Sequence, residues 1–162
     1  MMGSLRLNVL ILSLSQTRRI RPSLIIYSQR LAGWGRHPVE ECTVYRPERQ
    51  SDLRAIVERA PEADLTPRGL GRSYGDAALL SNGKVVLTRK LDRMLNFDES
   101  KGALTCEAGV TLEEIIDTFL PRGFFPPVVP GTQYVTVGGA IGCNMRFVLI
   151  NQLRKNGCPR GL

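Results

Sequence analysis

The residues with the most chemical potential lie in two runs. The first is Pro67-Arg68-Gly69-Leu70-Gly71-Arg72-Ser73-Tyr74-Gly75-Asp76. The second is Pro130-Gly131-Thr132 with Val135-Thr136-Val137-Gly138-Gly139-Ala140. Each follows an apolar, strand-like stretch, so each marks a place where backbone comes close to something. Glycine lacks a Cβ, can take positive φ and lets a ligand lie against the main chain. Consecutive amides in such a turn form a concave nest of positive partial charge that suits a phosphate or pyrophosphate. Arg72 could add charge there and Ser73 a hydroxyl donor. Either run alone could equally be a tight turn, because glycine serves turns as well as ligands. Together, with Arg-Ser-Tyr inside the first, they point to a phosphate-bearing cofactor held between two loops.

Spacing excludes the commoner phosphate loops. Glycines 69, 71 and 75 are separated by two and then four positions, whereas the dinucleotide fingerprint needs two and then three before a helix. The nucleoside-triphosphate loop, Gly-x-x-x-x-Gly-Lys-Ser/Thr, does not occur.

From Trp34 to about Asn144 the chain resembles the FAD-binding domain of the PCMH-type (vanillyl-alcohol oxidase) superfamily. The Gly-Leu-Gly-Arg-Ser-Tyr-Gly-Asp run and the Pro-Gly-Thr-x-x-Val-Thr-Val-Gly-Gly-Ala-Ile-x-Cys run are similar above all to those of the decaprenylphosphoryl-β-D-ribose 2′-oxidase group, as is Gly33-Trp34-Gly35-Arg36. The resemblance implies an α+β fold, a PCMH-type domain of two α+β subdomains, truncated. It implies that the first loop wraps the FAD pyrophosphate and that the second lines the flavin and ribityl chain. Carried over, the cofactor-binding residues are Arg68, Gly69, Leu70, Gly71, Arg72, Ser73, Tyr74, Gly75, Asp76 and Ala77, with Gly131, Thr136, Val137, Gly138 and Gly139. Cys143, beside the second run, could line the same site or be a small buried filler. Many members attach flavin covalently through a first-loop histidine; Arg72 and Ser73 occupy that neighbourhood here, which implies non-covalent FAD. The implied intact reaction is hydride transfer from a CH–OH group of a sugar or polyol to flavin N5. Such proteins continue after Asn144 with a His-Gly-Lys-Asn-His-like run, where this chain reads Met145-Arg146-Phe147-Val148-Leu149-Ile150. The expectation is therefore the front part of an oxidoreductase, without its substrate domain and inactive alone.

The net charge of +7 invites a nucleic-acid or anionic-membrane reading, but its distribution argues otherwise. Residues 1–30 carry five Arg and no acid, and residues 145–162 carry four basic residues and no acid. Residues 31–144 hold thirteen basic and fifteen acidic residues, an ordinary mixed-charge body. The expected organisation is an unpacked extension over 1–30, the partial FAD-binding domain over 31–144 and a divergent tail over 145–162. One or both ends are expected to be foreign to the family, through a misplaced start or a shifted reading frame. An Arg- and Ser-containing leader is also compatible with an organelle transit peptide. The Val9–Leu14 apolar run is too short to span a bilayer. Cys42, Cys106, Cys143 and Cys158 have no metal-ligand spacing and read as reduced thiols of a cytoplasmic protein.

The elements that must position the loops can be read from periodicity and turn signals. Thr43-Val44-Tyr45 is a strand. Ser51 or Asp52 caps a helix to Arg59 with Leu53, Ile56 and Val57 on one face, and Pro61 stops it. Leu65-Thr66-Pro67 feeds the first loop, and Lys84–Arg89 is a buried strand, so 37–93 reads as a βαβ-like layer with a small parallel sheet. Met94–Phe97 and Ala103–Glu107 form a hairpin about Ser100-Lys101-Gly102. Thr111 caps a helix bearing Leu112, Ile115, Ile116 and Phe119, with Glu113 and Glu114 in its first turn. Pro121-Arg122-Gly123 ends it, and the second unit runs to about 144 with the two glycine runs facing each other across the junction.

Other chemistry finds few candidates. His37 is the only histidine, so any hydrolase triad would have to use it, and a structural or surface role fits better. Metal sites are equally short of ligands. Tyr74 could touch the flavin or pack, and Trp34 reads as a core or interface anchor. No catalytic acid or base is assignable. The alternative class is a small basic protein gripping nucleic acid or anionic membrane non-specifically through its ends.

Overall fold

The computed structural model describes residues 25–60 and 64–143. Expectations for residues 1–24 and 144–162, and Pro61 as a helix stop, lie outside the described residues. Two α+β units follow one another along the chain. In the first, β1 (Ile25–Ala32), β2 (Val39–Arg46), β3 (Leu65–Arg68) and β4 (Lys84–Leu87) form a sheet of order β1-β2-β4-β3, with α1 (Gln50–Arg59) between β2 and β3. β2, β4 and β3 are mutually parallel, as the strand–helix–strand reading requires, and β1 is antiparallel to β2 over eight residue pairs. Pro67 pairs with Val86 on edge strand β3, where its missing N–H is tolerated.

β1 corrects one expectation. Residues 25–30, read as part of an unpacked extension, are strand. Their alternation is weak because only Tyr27 and Leu31 turn toward the core cluster of Cys42, Val44, Leu79 and Val85, while Ile25 and Ile26 stay exposed. A strand packed on one face at the sheet edge needs few apolar residues. The helix α1 also starts differently. Its N-cap is Arg49 without a side-chain cap bond, and Asp52 sits buried in the first turn rather than capping. There its charge still favours the positive end of the helix dipole. Ile56 is buried but Val57 is exposed, so the apolar face is narrower than expected. Ala60 takes the extended conformation expected before a proline. Strand β4 stops at Leu87, two residues early, in a 3-10 turn over Thr88–Lys90.

The second unit follows the expected order. β5 (Met94–Asp98) and β6 (Ala103–Cys106) pair antiparallel about a turn with Gly102 at φ 61°. Asp98 accepts bonds from Ser100 Oγ and the Lys101 N–H, which lowers its carboxyl to about 2. Helix α2 (Leu112–Phe119) begins with a full capping box: the Thr111 hydroxyl accepts from the Glu114 N–H at 3.1 Å, and the Glu114 carboxylate accepts from the Thr111 N–H at 2.8 Å. The helix buries Leu112, Ile115 and Phe119 against Val110 and Phe124. Phe97 joins them, 4.4 Å from Phe119 and edge-on to Phe124 at 5.0 Å. Gly123, at φ 83°, closes the turn after α2.

The strip 107–110 fastens the units together. The Gly109 N–H donates to Leu91 O at 2.7 Å and the Glu107 N–H to Arg93 O at 2.9 Å. The buried Glu107 carboxylate accepts from the Arg93 N–H, Nε and Nη2 and from Gln50 Nε2 of α1. Nothing in the residue pattern had singled this glutamate out. Arg93 holds its carboxyl below the usual range, first through the side-chain hydrogen bonds. Its contribution is therefore complete above its ordinary value of 4.5 and is lost as pH falls through the lower folded-state value. Glu107→Gln should destabilise the fold by only roughly 1–2 kcal/mol at pH 7, read as a lower urea midpoint, because the Arg93 side chain of the pair is 59% exposed. The gap between wild type and variant should close in titrations below pH 4.5; a gap that persists there would contradict this role for the carboxylate. Thr111→Ala should cost about 1 kcal/mol, read in the same assay, through loss of the capping box.

Candidate cofactor site

The first glycine run leaves β3 at Arg68 and returns through a turn to Leu79. Arg68 itself is buried, and its guanidinium lies beneath the loop: Nη2 donates to Ala32 O at 2.6 Å and Nη1 to Ala78 O at 3.2 Å. It forms no ion pair with a carboxylate among the described residues. Burial without a counter-ion lowers its pKa from the ordinary arginine value. Gly71 lies over this guanidinium at φ 65°; a Cβ there would meet both a strained backbone and the Arg68 side chain. Gly75 repeats the left-handed conformation at φ 60°. Among the described residues, no N–H from Leu70 to Asp76 donates to a protein acceptor. Arg72, Tyr74, Gly75 and Asp76 are exposed, and Gly69, Leu70, Gly71 and Ser73 are half-buried. The loop is thus a run of available amides over a buried, unpaired cation.

The second run differs from the expected open loop. Thr136 is the N-cap of a short helix, α3 (Val137–Gly142), and its hydroxyl accepts from the Gly139 N–H at 3.2 Å. The Val137 N–H donates to Val110 O at 2.8 Å and the Gly138 N–H to Ala108 O at 2.9 Å. These amides are spent on the 107–110 strip. Gly138 is small because Ala108 packs on it: a Cβ would sit 2.9 Å from the Ala108 Cβ. Sequence shows that a glycine is close to something but not whether the neighbour is ligand or protein; here it is protein.

The two runs do meet. A Cβ on Gly69 would collide with the buried Thr136 side chain, so β3 delivers the first loop directly against the cap of α3. Arg72 bridges further out, its guanidinium carbon 4.9 Å from the Trp34 ring centroid and 5.7 Å from that of Tyr134. Trp34 is accordingly an exposed partner of the loop rather than a core anchor, and Tyr134 gave no signal of its own in the sequence. Gly131 is exposed, with open space where a Cβ would project. Cys143 is exposed at the end of α3, which rules out the buried-filler alternative. His37 is exposed, and among the described residues no group of three or more metal-ligating side chains is gathered. No helix among them is long and apolar enough to cross a membrane.

Known proteins give this geometry its context. Residues 43–145 match the model of the FAD binding domain family. The chain is 39% identical over 121 residues to decaprenylphosphoryl-beta-D-ribose oxidase of Mycolicibacterium smegmatis, covering 73% of this chain and 26% of that protein. It is 30% identical over 107 residues to D-lactate dehydrogenase of Archaeoglobus fulgidus, covering 65% of this chain and 24% of that one. Among solved structures, cholesterol oxidase of Brevibacterium sterolicum superposes with a TM-score of 0.62 at 16% identity, over 80% of this chain and 26% of its own. The chain thus spans about a quarter of the length of these relatives. A first loop of unbonded amides, a second run folded against it and the match over residues 43–145 place the chain in the FAD-binding domain family of flavin-dependent oxidoreductases, with the PCMH-type fold.

Proposed function

We propose that this chain binds FAD non-covalently, with the pyrophosphate on the loop 69–76, as the cofactor domain of an oxidoreductase acting on a CH–OH group of a sugar or polyol. The observation that carries the reading is the pairing of unbonded amides with the buried Arg68 cation. Such a cradle fits a dianionic pyrophosphate, because each amide donates without reorganisation and the charge below has no carboxylate partner among the described residues. Ser73 adds a hydroxyl donor at the rim, and Tyr74, 76% exposed, is free to lie along the cofactor. The second run acts by holding the first loop in place, through Thr136 packed on Gly69, since the amides of Val137, Gly138 and Gly139 are occupied. Bound FAD supplies the electron acceptor for oxidation of an alcohol carbon; this chain's residues bind and orient it.

The relatives' names support the sugar or polyol class: decaprenylphosphoryl-beta-D-ribose oxidase and D-lactate dehydrogenase are both named for substrates with a hydroxyl on carbon, and the first shares the greater identity of the two with this chain. Apart from Arg30 on β1, the basic residues of the ends on which a nucleic-acid or membrane reading would rest lie outside the described residues.

Purified protein incubated with FAD and freed of excess ligand should retain visible flavin absorbance, and Gly71→Val should abolish it. Arg68→Met should weaken binding by about one to two orders of magnitude, the equivalent of a charge-assisted contact of roughly 1.5–3 kcal/mol. Acid precipitation should leave the flavin in the supernatant, because residues 68–77 contain no histidine. Flavin retained by the pellet would overturn the non-covalent assignment. Under anaerobic conditions, a ribose-type polyol should bleach the flavin of the protein carrying this domain before D-lactate or a sterol does; the reverse order would overturn the sugar assignment.

A further inference from the structure

Arg72 lies where a phosphate-binding arginine would be expected, yet its geometry serves another purpose. We propose that Arg72 is a positioning residue: its guanidinium, lying over the rings of both Trp34 and Tyr134, staples the first loop between two supports and so fixes the direction in which the loop's amides point. The proposal rests on the flavin reading for its functional consequence but not for the staple itself.

Both supports are anchored independently. On one side, the Trp34 N–H donates to Ser73 O at 2.8 Å, and a Cβ on Gly33 would lie 2.6 Å from both Ser73 O and Gly75 O. The segment 33–34 is therefore in backbone contact with the loop, and only glycine allows that approach. On the other side, the Tyr134 N–H donates to Thr132 Oγ1 at 3.2 Å. Its neighbours are tied to α2, through Glu113 N–H to Gln133 O and Leu112 N–H to Val135 O. Between the supports, among the described residues, no N–H from Leu70 to Asp76 donates to a protein acceptor. A loop held so lightly along its backbone needs side-chain restraint, and Arg72 supplies it to both sides at once. Its ring distances, 4.9 and 5.7 Å, both fall within the range of attraction between a cation and an aromatic face. Among the described residues it forms no ion pair with a carboxylate that would compete for the guanidinium.

Two roles for Arg72 make opposite demands on a lysine. A phosphate counter-charge is kept by Lys, whereas stacking of a planar guanidinium on two rings is not. The tests are FAD titration and acrylamide quenching of Trp34, the chain's single tryptophan, for Arg72→Lys, Arg72→Met, Tyr134→Ala and Tyr134→Phe. Arg72→Met should weaken FAD by about tenfold, the loss of two exposed cation–π contacts, and Arg72→Lys by about threefold, because a compact ammonium can lie over one ring but not bridge two. Both should also raise the quenching of Trp34 in ligand-free protein. Tyr134→Ala should raise quenching too, although among the described residues no direct ring contact joins Tyr134 to Trp34, and Tyr134→Phe should behave like wild type in both assays. Arg72→Lys binding like wild type while Arg72→Met does not would overturn the proposal in favour of a direct counter-charge. Unchanged Trp34 quenching in Tyr134→Ala would overturn it as well. If wild type binds no flavin, the FAD reading falls, and the quenching series still decides the staple.

Discussion

The described structure turns on one buried arginine. Arg68 ends β3, and its guanidinium donates to the carbonyl at the end of β1 and to the carbonyl at the far side of the loop. Desolvating a cation is unfavourable, and two neutral carbonyls offset the loss only in part. What is gained is geometry: the end of the edge strand, the exit of β3 and the return of the loop all converge on one planar fork. Among the described residues no carboxylate pairs with the charge. A group seated on the loop above it is therefore drawn toward negative charge by a cation it need not touch, in addition to the amides it does touch.

The two glycine runs look alike in sequence and behave differently in space. The first keeps its amides unbonded and uses left-handed residues at Gly71 and Gly75 to turn them. The second buries its amides in bonds to Ala108 and Val110 and uses its small residues to let helix α3 close on that strip. One run offers donors and the other offers a wall. Their meeting at Gly69 and Thr136 makes the division workable, because the wall holds the donors' base without competing for their hydrogen bonds.

What was legible in the sequence follows the same division. Elements with local signals read correctly: the Thr111 cap of α2, the hairpin turn at Gly102 and, from the strand–helix–strand pattern, a small parallel sheet. Elements fixed by tertiary partners did not. β1 lacked a strand's alternation because an edge strand packed on one face needs only Tyr27 and Leu31. The start of α1 shifted because Asp52 is buried against the domain rather than placed as a cap. Glu107 carried no motif, since its four donors come from residues 50 and 93. Within the site, the location of the first loop was legible, but the roles inside it were not. Arg72 reads as added charge at a phosphate and Arg68 only as a cofactor contact implied by the resemblance; that Arg68 is a buried brace on the Ala32 and Ala78 carbonyls depends on residues far from it in sequence.

Charge makes the last distinction. The chain's net charge of +7 sits in its ends, while the body from 31 to 144 carries a slight negative excess. An anion site in such a body cannot depend on a broad positive field, which would in any case be screened over about 10 Å at moderate salt. It must be made locally, from oriented N–H groups and a cation shielded from water. Dipoles fixed by the fold keep their direction whatever the net charge, and a desolvated guanidinium is screened far less than an exposed one. On the proposed reading, a loop of small residues held at its base by Arg68 would meet a phosphate with local donors, where counting charges along the sequence would have pointed to the ends.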